Sequence, residues 1–261
     1  MWYKGENHFK EDNGYEIKGI WYPRVTRIVN VKSKPALDNF FKEMGSYEAA
    51  ENVKNKSAEE GSQVHEVAQK ILSGGSVDIS PEMQPVADAL EEFNREKNIF
   101  FHPEFVEKRI WSNLHKFAGT VDALTSIDGK FGVLDIKTST GFFPDYNLQT
   151  AAYILALQEN MVKEELALPN NVETRWILRI DQQRKCSVCG SKLREKGGRK
   201  KIRENGKNSC SHDGHQWEEV KAEIELKEFP YFFRDIKAFL AAKTLWEWEN
   251  NYWLRKIGYA K

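Results

Sequence analysis

The dipeptide Asp128-Gly129, set between two short apolar runs, constrains the fold of this chain more than any other feature. A two-residue hairpin turn needs positive φ at both central positions, and Asp-Gly is one of the few pairs that supplies it. The flanking runs, Val121, Ala123, Leu124 and Ile127 before the turn and Phe131, Val133, Leu134 and Ile136 after it, are therefore expected to be adjacent strands. Side chains alternate along a strand, so Asp135 and Lys137 share one face while Ile136 turns into the core. Asp122 and Asp135 then lie near the ends of neighbouring strands. Two carboxylates that close repel one another unless a cation binds or a proton is shared. Mg²⁺ is the simplest such cation, since it takes oxygen ligands and keeps waters or substrate phosphates in its remaining positions. A lysine beside it can orient or deprotonate water, or neutralise charge building on a phosphate.

With 261 residues, 40% of them hydrophobic, the chain has apolar surface enough for a real core and reads as one α/β domain over residues 1–261, a central mixed sheet flanked by helices. Helices are predicted from Ser33 to Met44, through Ala49 and Val53, from Ser57 to Leu72, from Ser80 to Lys97, from Gln149 to Glu159 (opened by Asn147) and from Pro230 to Lys256. The third has capping-box spacing at Ser57-Ala58-Glu59-Glu60 and the periodic stripe Val64, Val67, Ala68, Ile71, Leu72. Strands are predicted for Phe100 to Trp111, carrying Glu104 and Glu107, and for Thr174 to Asp181 paired with Trp217 to Leu226. In the last helix Phe232, Ile236, Phe239 and Leu240 form a core stripe, and Trp246, Trp248, Tyr252 and Trp253 read as core rather than as a stacking platform. Phe142 and Phe143 lie in a loop at 140–145, where they anchor the loop or, as the alternative, touch unstacked bases. No apolar run approaches the ~20 residues that span a bilayer, and Met1-Trp2-Tyr3-Lys4-Gly5-Glu6 lacks the apolar stretch of a signal peptide. A cytoplasmic protein with no membrane partner is expected.

The order Gly119-x-x-Asp122, apolar strand, Asp135-x-Lys137-Thr138-Ser139 and then Gln149-x-x-x-Tyr153 resembles the PD-(D/E)xK nuclease superfamily in its RecB-like branch. The resemblance is strongest to the mitochondrial genome maintenance exonuclease type, through Pro23-Arg24-Val25-Thr26, Gly61-Ser62-Gln63-Val64-His65 and Leu148-Gln149 with Ala152-Tyr153. It covers residues 20–180 and the terminal helix. It implies a restriction-endonuclease-like core and hydrolysis of DNA phosphodiester bonds, as an exonuclease on single-stranded ends or flaps. Asp122, Asp135, the Ile136 carbonyl and His65 would then hold Mg²⁺ or Mn²⁺, with Lys137, Gln149 and Tyr153 completing the site. By its own spacing His65 is a histidine beside an apolar stripe; only the resemblance makes it a ligand, and imidazole suits Mn²⁺ better than Mg²⁺. Glu107 is either a further contributor or a solvated edge charge. The rival class is a non-catalytic DNA-binding or scaffolding subunit of a repair or recombination complex, against which the intact Asp122, Asp135 and Lys137 count. Replication and recombination proteins are the expected partners beside DNA.

The resemblance does not reach the segment 182–216, which holds all three cysteines. Cys186-Ser187-Val188-Cys189-Gly190 has the form of a zinc knuckle, and Cys210 with a histidine completes a closed, structural Cys₃His set. His215 is the favoured fourth ligand, His212 the alternative and Asp213 a distant third. A [4Fe–4S] cluster needs four thiolates, so zinc is preferred. Although Lys+Arg and Asp+Glu both total 39, Arg184, Lys185, Lys192, Arg194, Lys196, Arg199, Lys200, Lys201, Arg203 and Lys207 fall here against Glu195 and Glu204. Such a cluster binds phosphate backbone without reading sequence; Arg184, Lys185, Lys192, Arg194, Arg199, Lys200, Lys201 and Arg203 are the expected DNA contacts.

Overall fold

Both residues of the Asp128-Gly129 turn have positive φ, 50° and 80°, and the strands around it run antiparallel with Ile127 opposite Lys130 and Ala123 opposite Leu134. The computed structural model describes residues 3–32, 35–75, 78–97, 99–206, 209–211 and 214–259. The chain opens with α1 (Glu6–Asn13), β1 (Gly14–Ile17), β2 (Ile20–Pro23) and α2 (Val25–Val29). Three helices follow: α3 (Pro35–Glu43), α4 (Tyr47–Leu72) and α5 (Gln84–Glu96). The middle of the chain is β3 (Ile99–Phe101), β4 (Lys108–Ser112), β5 (Phe117–Val121), β6 (Ala123–Ile127) and β7 (Lys130–Lys137), then α6 (Pro144–Leu157) and α7 (Asn160–Leu166). The rest comprises β8 (Thr174–Lys185), β9 (Lys192–Lys196), β10 (Arg199–Arg203), β11 (Lys221–Glu228), α8 (Phe233–Glu249) and α9 (Asn251–Lys256).

Seven strands make one mixed sheet in the order β10-β9-β8-β7-β6-β3, with β11 also on β8. β7 and β8 are parallel and the other neighbours antiparallel. Alternation along β7 divides the core in two. Phe131 and Val133 join a cluster with α2, α6 and α8, while Leu134 and Ile136 join one with α4 and α5. The sheet is therefore covered by helices on both faces, as an α/β architecture with apolar residues on both sides of its central strands requires. No helix among the described residues is long and apolar enough to cross a membrane.

Several elements differ from the sequence expectation. The helices expected through Val53 and from Ser57 are one 26-residue helix, α4, capped by Ser46, whose side chain accepts the Ala49 N–H at 3.1 Å. Ser57 lies inside it, because the only breaker between Tyr47 and Leu72 is Gly61, worth about 1 kcal/mol against continuation. α5 starts at Gln84 with Pro85 in its first turn, and Pro81 sits in the preceding turn. The strand expected from Phe100 to Trp111 is broken by a 3₁₀ turn at Pro103–Phe105 and by Glu107 at φ 49°, so that β4 pairs with β5 in a separate sheet. α6 starts at Pro144, not near Asn147, since proline suits the first helical position. β8 runs on to Lys185, and β11 starts at Lys221 rather than Trp217. The terminal helix divides at Asn250, whose side-chain amide donates to the Trp246 carbonyl at 2.8 Å. Trp246 is buried and Trp253 stacks on Phe9, whereas Trp248 and Tyr252 are exposed. Ser33 lies outside the described residues.

Arg175 on β8 ties the C-terminal helix to the sheet. It is fully buried and donates to the Asn147 carbonyl at 2.8 Å, the Tyr231 carbonyl at 3.3 Å and the Asp235 carboxylate. Arg175→Met keeps the length of the side chain but leaves those acceptors without their donor. It is expected to lower stability by about 3 kcal/mol, the low end for a broken buried pair because Asp235 is partly exposed. Urea unfolding followed by tryptophan fluorescence measures this; an unchanged midpoint would refute it.

Candidate active site and metal centres

Asp122 occupies the single residue between β5 and β6, and its Oδ2 accepts the Ile136 N–H at 2.6 Å. Continuing the register of β6 and β7 past Ala123 and Leu134 brings Asp135 opposite it. Asp135 is 0% exposed, and neither of its carboxylate oxygens has a hydrogen bond of regular geometry. The Lys137 ammonium lies 2.7 Å from its Oδ2. Burial pushes both carboxyls up to about 6, with Lys137 opposing the rise and, at Asp135, the Asp122 charge adding to it. Burial alone would depress Lys137, but Asp135 and Asp122 together raise it. The expected arrangement of Asp135 and Lys137 on one face with Ile136 in the core is thus present.

His65 reaches the same place from α4, with its Nδ1 3.7 Å from Asp122 Oδ2. Burial and then Lys137 lower its pKa, which favours the neutral, ligating imidazole. His65, Glu107 and Asp122 each offer an atom within 4.8 Å of the others. Glu107 arrives there through its left-handed backbone, its N–H donating to the Asp122 carbonyl at 3.0 Å and its carboxylate held by the Gln69 amide one helical turn beyond His65. The residues whose ligand atoms lie together are therefore His65, Asp122 and Glu107, with Asp135 opposite Asp122 on the neighbouring strand, so Glu107 joins the expected set of His65, Asp122, Asp135 and Ile136. Ile136 contributes backbone on both sides, donating to Asp122 and hydrogen-bonding His65.

Gln149 and Tyr153 lie one turn apart on α6, the Gln149 amide donating to the Tyr153 hydroxyl at 2.9 Å. Tyr153 is buried, and burial raises its pKa well above the usual value, so it serves as a neutral support. Its ring explains Gly119: a Cβ there would lie 2.5 Å from it. Sequence reasoning missed Tyr146, whose ring is 5.3 Å from Lys137 Nζ, although it sits seven residues before Tyr153 on the same helix and so on the same face. Gln69 and Thr138 were missed as well. Both line an open groove of about 450 Å³ with Gly61, His65 and Glu107. Phe142 packs toward Phe229, and Phe143 is the exposed N-cap of α6.

In the cysteine segment, Cys186, Cys189, Cys210 and His215 each offer an atom within 4.8 Å of the others. Gly190 at φ 75° closes the knuckle, donating to the Cys186 carbonyl at 2.8 Å. His215 Nδ1 is 3.5 Å from Cys189 Sγ, and its ring stacks on Trp217. A hydrogen bond with the Ser191 hydroxyl pulls the Cys189 thiol down to about 5, while its hydrogen bond with Cys189 pushes the Cys210 thiol up to about 11, so thiolate character is concentrated at Cys189. His212, Asp213 and Lys207 lie outside the described residues. The basic cluster is less free than its count implies. Arg194 pairs with Asp181 at 2.6 Å, Arg199 with Glu43 at 2.5 Å, Lys192 with Glu223 at 3.3 Å and Lys200 with Glu195 at 3.7 Å. Arg184, Lys185, Lys201 and Arg203 are exposed.

No protein-family model matches this chain, and no curated protein matches it.

The raised carboxyls give a pH prediction. Their native pKa of about 6 exceeds the ordinary 3.8, so their stabilising contribution is full below 3.8 and lost as pH rises through about 6. A divalent cation held by these carboxyls would bind their ionised form and would therefore raise the melting temperature more at about pH 7.5 than at about pH 5. Thermal unfolding with and without Mn²⁺ at the two pH values tests this, and an equal shift at both would contradict it.

Proposed function

We propose that this chain is a metal-dependent nuclease that hydrolyses phosphodiester bonds of DNA, as an exonuclease on single-stranded ends or flaps, with a core of the PD-(D/E)xK kind in its RecB-like form. The observation that carries this reading is Asp135: a fully buried carboxylate without regular hydrogen bonds, beside Lys137 and opposite Asp122 of the His65, Glu107 and Asp122 group. Burying two carboxylates, Asp122 and Asp135, with Lys137 as their one ammonium leaves negative charge uncompensated at a cost, and a cation beside Asp122 would offset it.

His65, Asp122 and Glu107, with Asp135 and the Ile136 carbonyl, would hold Mg²⁺ or Mn²⁺. The bound ion supplies polarisation of the scissile phosphate and a water of lowered pKa. In the ion-free chain Lys137 is held as an ammonium by Asp135 and Asp122, which suits it to neutralise charge on a phosphate oxygen rather than to take a proton from water. Gln149, fixed by Tyr153, orients the reacting group from the α6 side. The preference for DNA and for ends rests on the resemblance to the RecB-like nucleases alone. Cys186, Cys189, Cys210 and His215 would hold a structural Zn²⁺, since thiolate and imidazole donors without an open position suit that ion.

Asp135→Asn removes a buried charge without changing shape. It is expected to cut hydrolysis of end-labelled single-stranded DNA in Mg²⁺ or Mn²⁺ by roughly a hundredfold or more while the protein stays folded. Undiminished cleavage in a folded variant would overturn the assignment. DNA that is bound but left uncut by the wild type with either ion would favour the non-catalytic binding subunit.

A further inference from the structure

The hairpin that leaves the Cys₃His cluster ends on the helix that carries His65. β9 and β10 are joined by Gly197 and Gly198, at φ 62° and 78°, and the Gly197 N–H donates to Glu60 Oε2 at 2.9 Å. No side chain fits there: a Cβ on Gly197 would lie 2.3 Å from Ser57 Oγ and 2.4 Å from the Val53 carbonyl oxygen. Lys196, just before the tip, donates to the Thr138 carbonyl at 2.6 Å and to its hydroxyl. Thr138 follows Lys137, and a Cβ on Gly61, one helical turn before His65, would sit 3.2 Å from its hydroxyl. The tip therefore touches both elements that carry the candidate site, α4 and the end of β7.

By itself this hairpin is poorly equipped to keep its shape. Its aliphatic residues are Leu193 and Ile202, and its register sets Lys196 opposite Arg199, Arg194 opposite Lys201 and Lys192 opposite Arg203. Like charges directly opposite destabilise a strand pair, and apart from its Gly197 tip and a two-residue pairing of β9 with β8, Arg184 opposite Leu193 and Lys185 opposite Lys192, the hairpin is fastened among the described residues only by single side chains to Asp181, Glu223, Glu43 and Thr138. Its base, however, lies at the cluster. Cys186 and Cys189 fall between β8 and β9, and Cys210 and His215 follow β10.

We propose that zinc bound by Cys186, Cys189, Cys210 and His215 is a splint that holds the Gly197 tip on α4 and Thr138, and thereby positions His65 and Lys137, so that the structural ion is required for the catalytic one to bind. The last step rests on the nuclease reading above; the splint itself does not. Gly197→Asn is the separating variant, because asparagine tolerates left-handed φ and spares the turn while its Cβ meets Ser57 and Val53.

The test uses the full chain as wild type, as Gly197→Asn and as the double variant Cys186→Ser, Cys189→Ser. Zinc content, Mn²⁺ affinity by calorimetry and hydrogen exchange over residues 57–65 are measured on each. The wild type is expected to hold about one zinc. The serine variant should lose it, exchange faster over 57–65 and bind Mn²⁺ about tenfold or more weakly. Gly197→Asn should keep the zinc and show the same faster exchange and weaker Mn²⁺ binding. A zinc-free wild type, or a Gly197→Asn protein with wild-type exchange and Mn²⁺ affinity, would overturn the splint. If the wild type binds Mn²⁺ but cuts no DNA, the nuclease reading fails while affinity and exchange still decide the splint; if it binds no Mn²⁺, exchange alone decides.

Discussion

Two aspartates at the ends of neighbouring strands, in a place from which water is largely excluded, set the problem that the rest of the structure answers. Each strand end is a natural exit from the sheet, and the Asp128-Gly129 turn fixes the register that brings Asp122 and Asp135 level. Desolvation opposes the ionisation of both, and the Asp122 charge adds to it at Asp135 and the Glu107 charge at Asp122, as the rise of both carboxyls to about 6 expresses. The chain's own compensation is one ammonium, Lys137, and one backbone N–H, from Ile136. One positive charge for two buried negatives, with Glu107 close by, leaves a local deficit that a divalent cation matches.

The helices can be understood as the means of reaching that deficit from both faces of the sheet. α4 lies on the Leu134 and Ile136 side and brings His65 and Gln69; α6 lies on the Phe131 and Val133 side and brings Tyr146, Gln149 and Tyr153. Close approach on each side depends on a missing side chain. Gly61 admits Thr138 against α4, and Gly119 admits the Tyr153 ring against β5. Glu107 adds a local cost, since a left-handed glutamate is unfavourable by about 1–2 kcal/mol, and its carboxylate stands in the triad. Strain of this size at a charged cluster is commonly retained where function uses it.

How much of this was legible follows from the range of the interactions concerned. The turn, the strand pair and the shared face of Asp135 and Lys137 depend on neighbours in sequence, and the alternation of apolar residues exposes them. The Cys₃His grouping was legible too, because few residue types can make it. Glu107 could be placed only as an alternative, because its position depends on a backbone break that β propensity in Phe100, Phe101 and Val106 conceals. The two helices predicted within α4 reflect a capping signal at Ser57 that the continuous helix overrides. Thr138, Tyr146 and Lys196 have partners that no local pattern announces, and Lys196 with Thr138 joins residues 58 apart.

Charge in the cysteine segment shows why counting basic residues overstates a nucleic-acid surface. The register of β9 and β10 puts Lys192, Arg194, Lys196, Arg199, Lys201 and Arg203 on one face, opposite the face of Leu193, Glu195, Lys200 and Ile202. On that basic face the three residues of β9 turn to Glu223, Asp181 and Thr138, and Arg199 turns to Glu43. Four of the six therefore fasten the hairpin to the body of the protein. Lys201 and Arg203, with Arg184 and Lys185 at the end of β8 and Lys200 on the opposite face, are the exposed remainder among the described residues. Among the described residues, any phosphate attraction by this segment would fall mainly to those five, while the inward lysines and arginines are held by partners they would have to give up. The same residue types thus divide between attachment and solvent-facing charge, and the division falls between the strands: β9 is fastened to the body, and β10 beyond Arg199 is not.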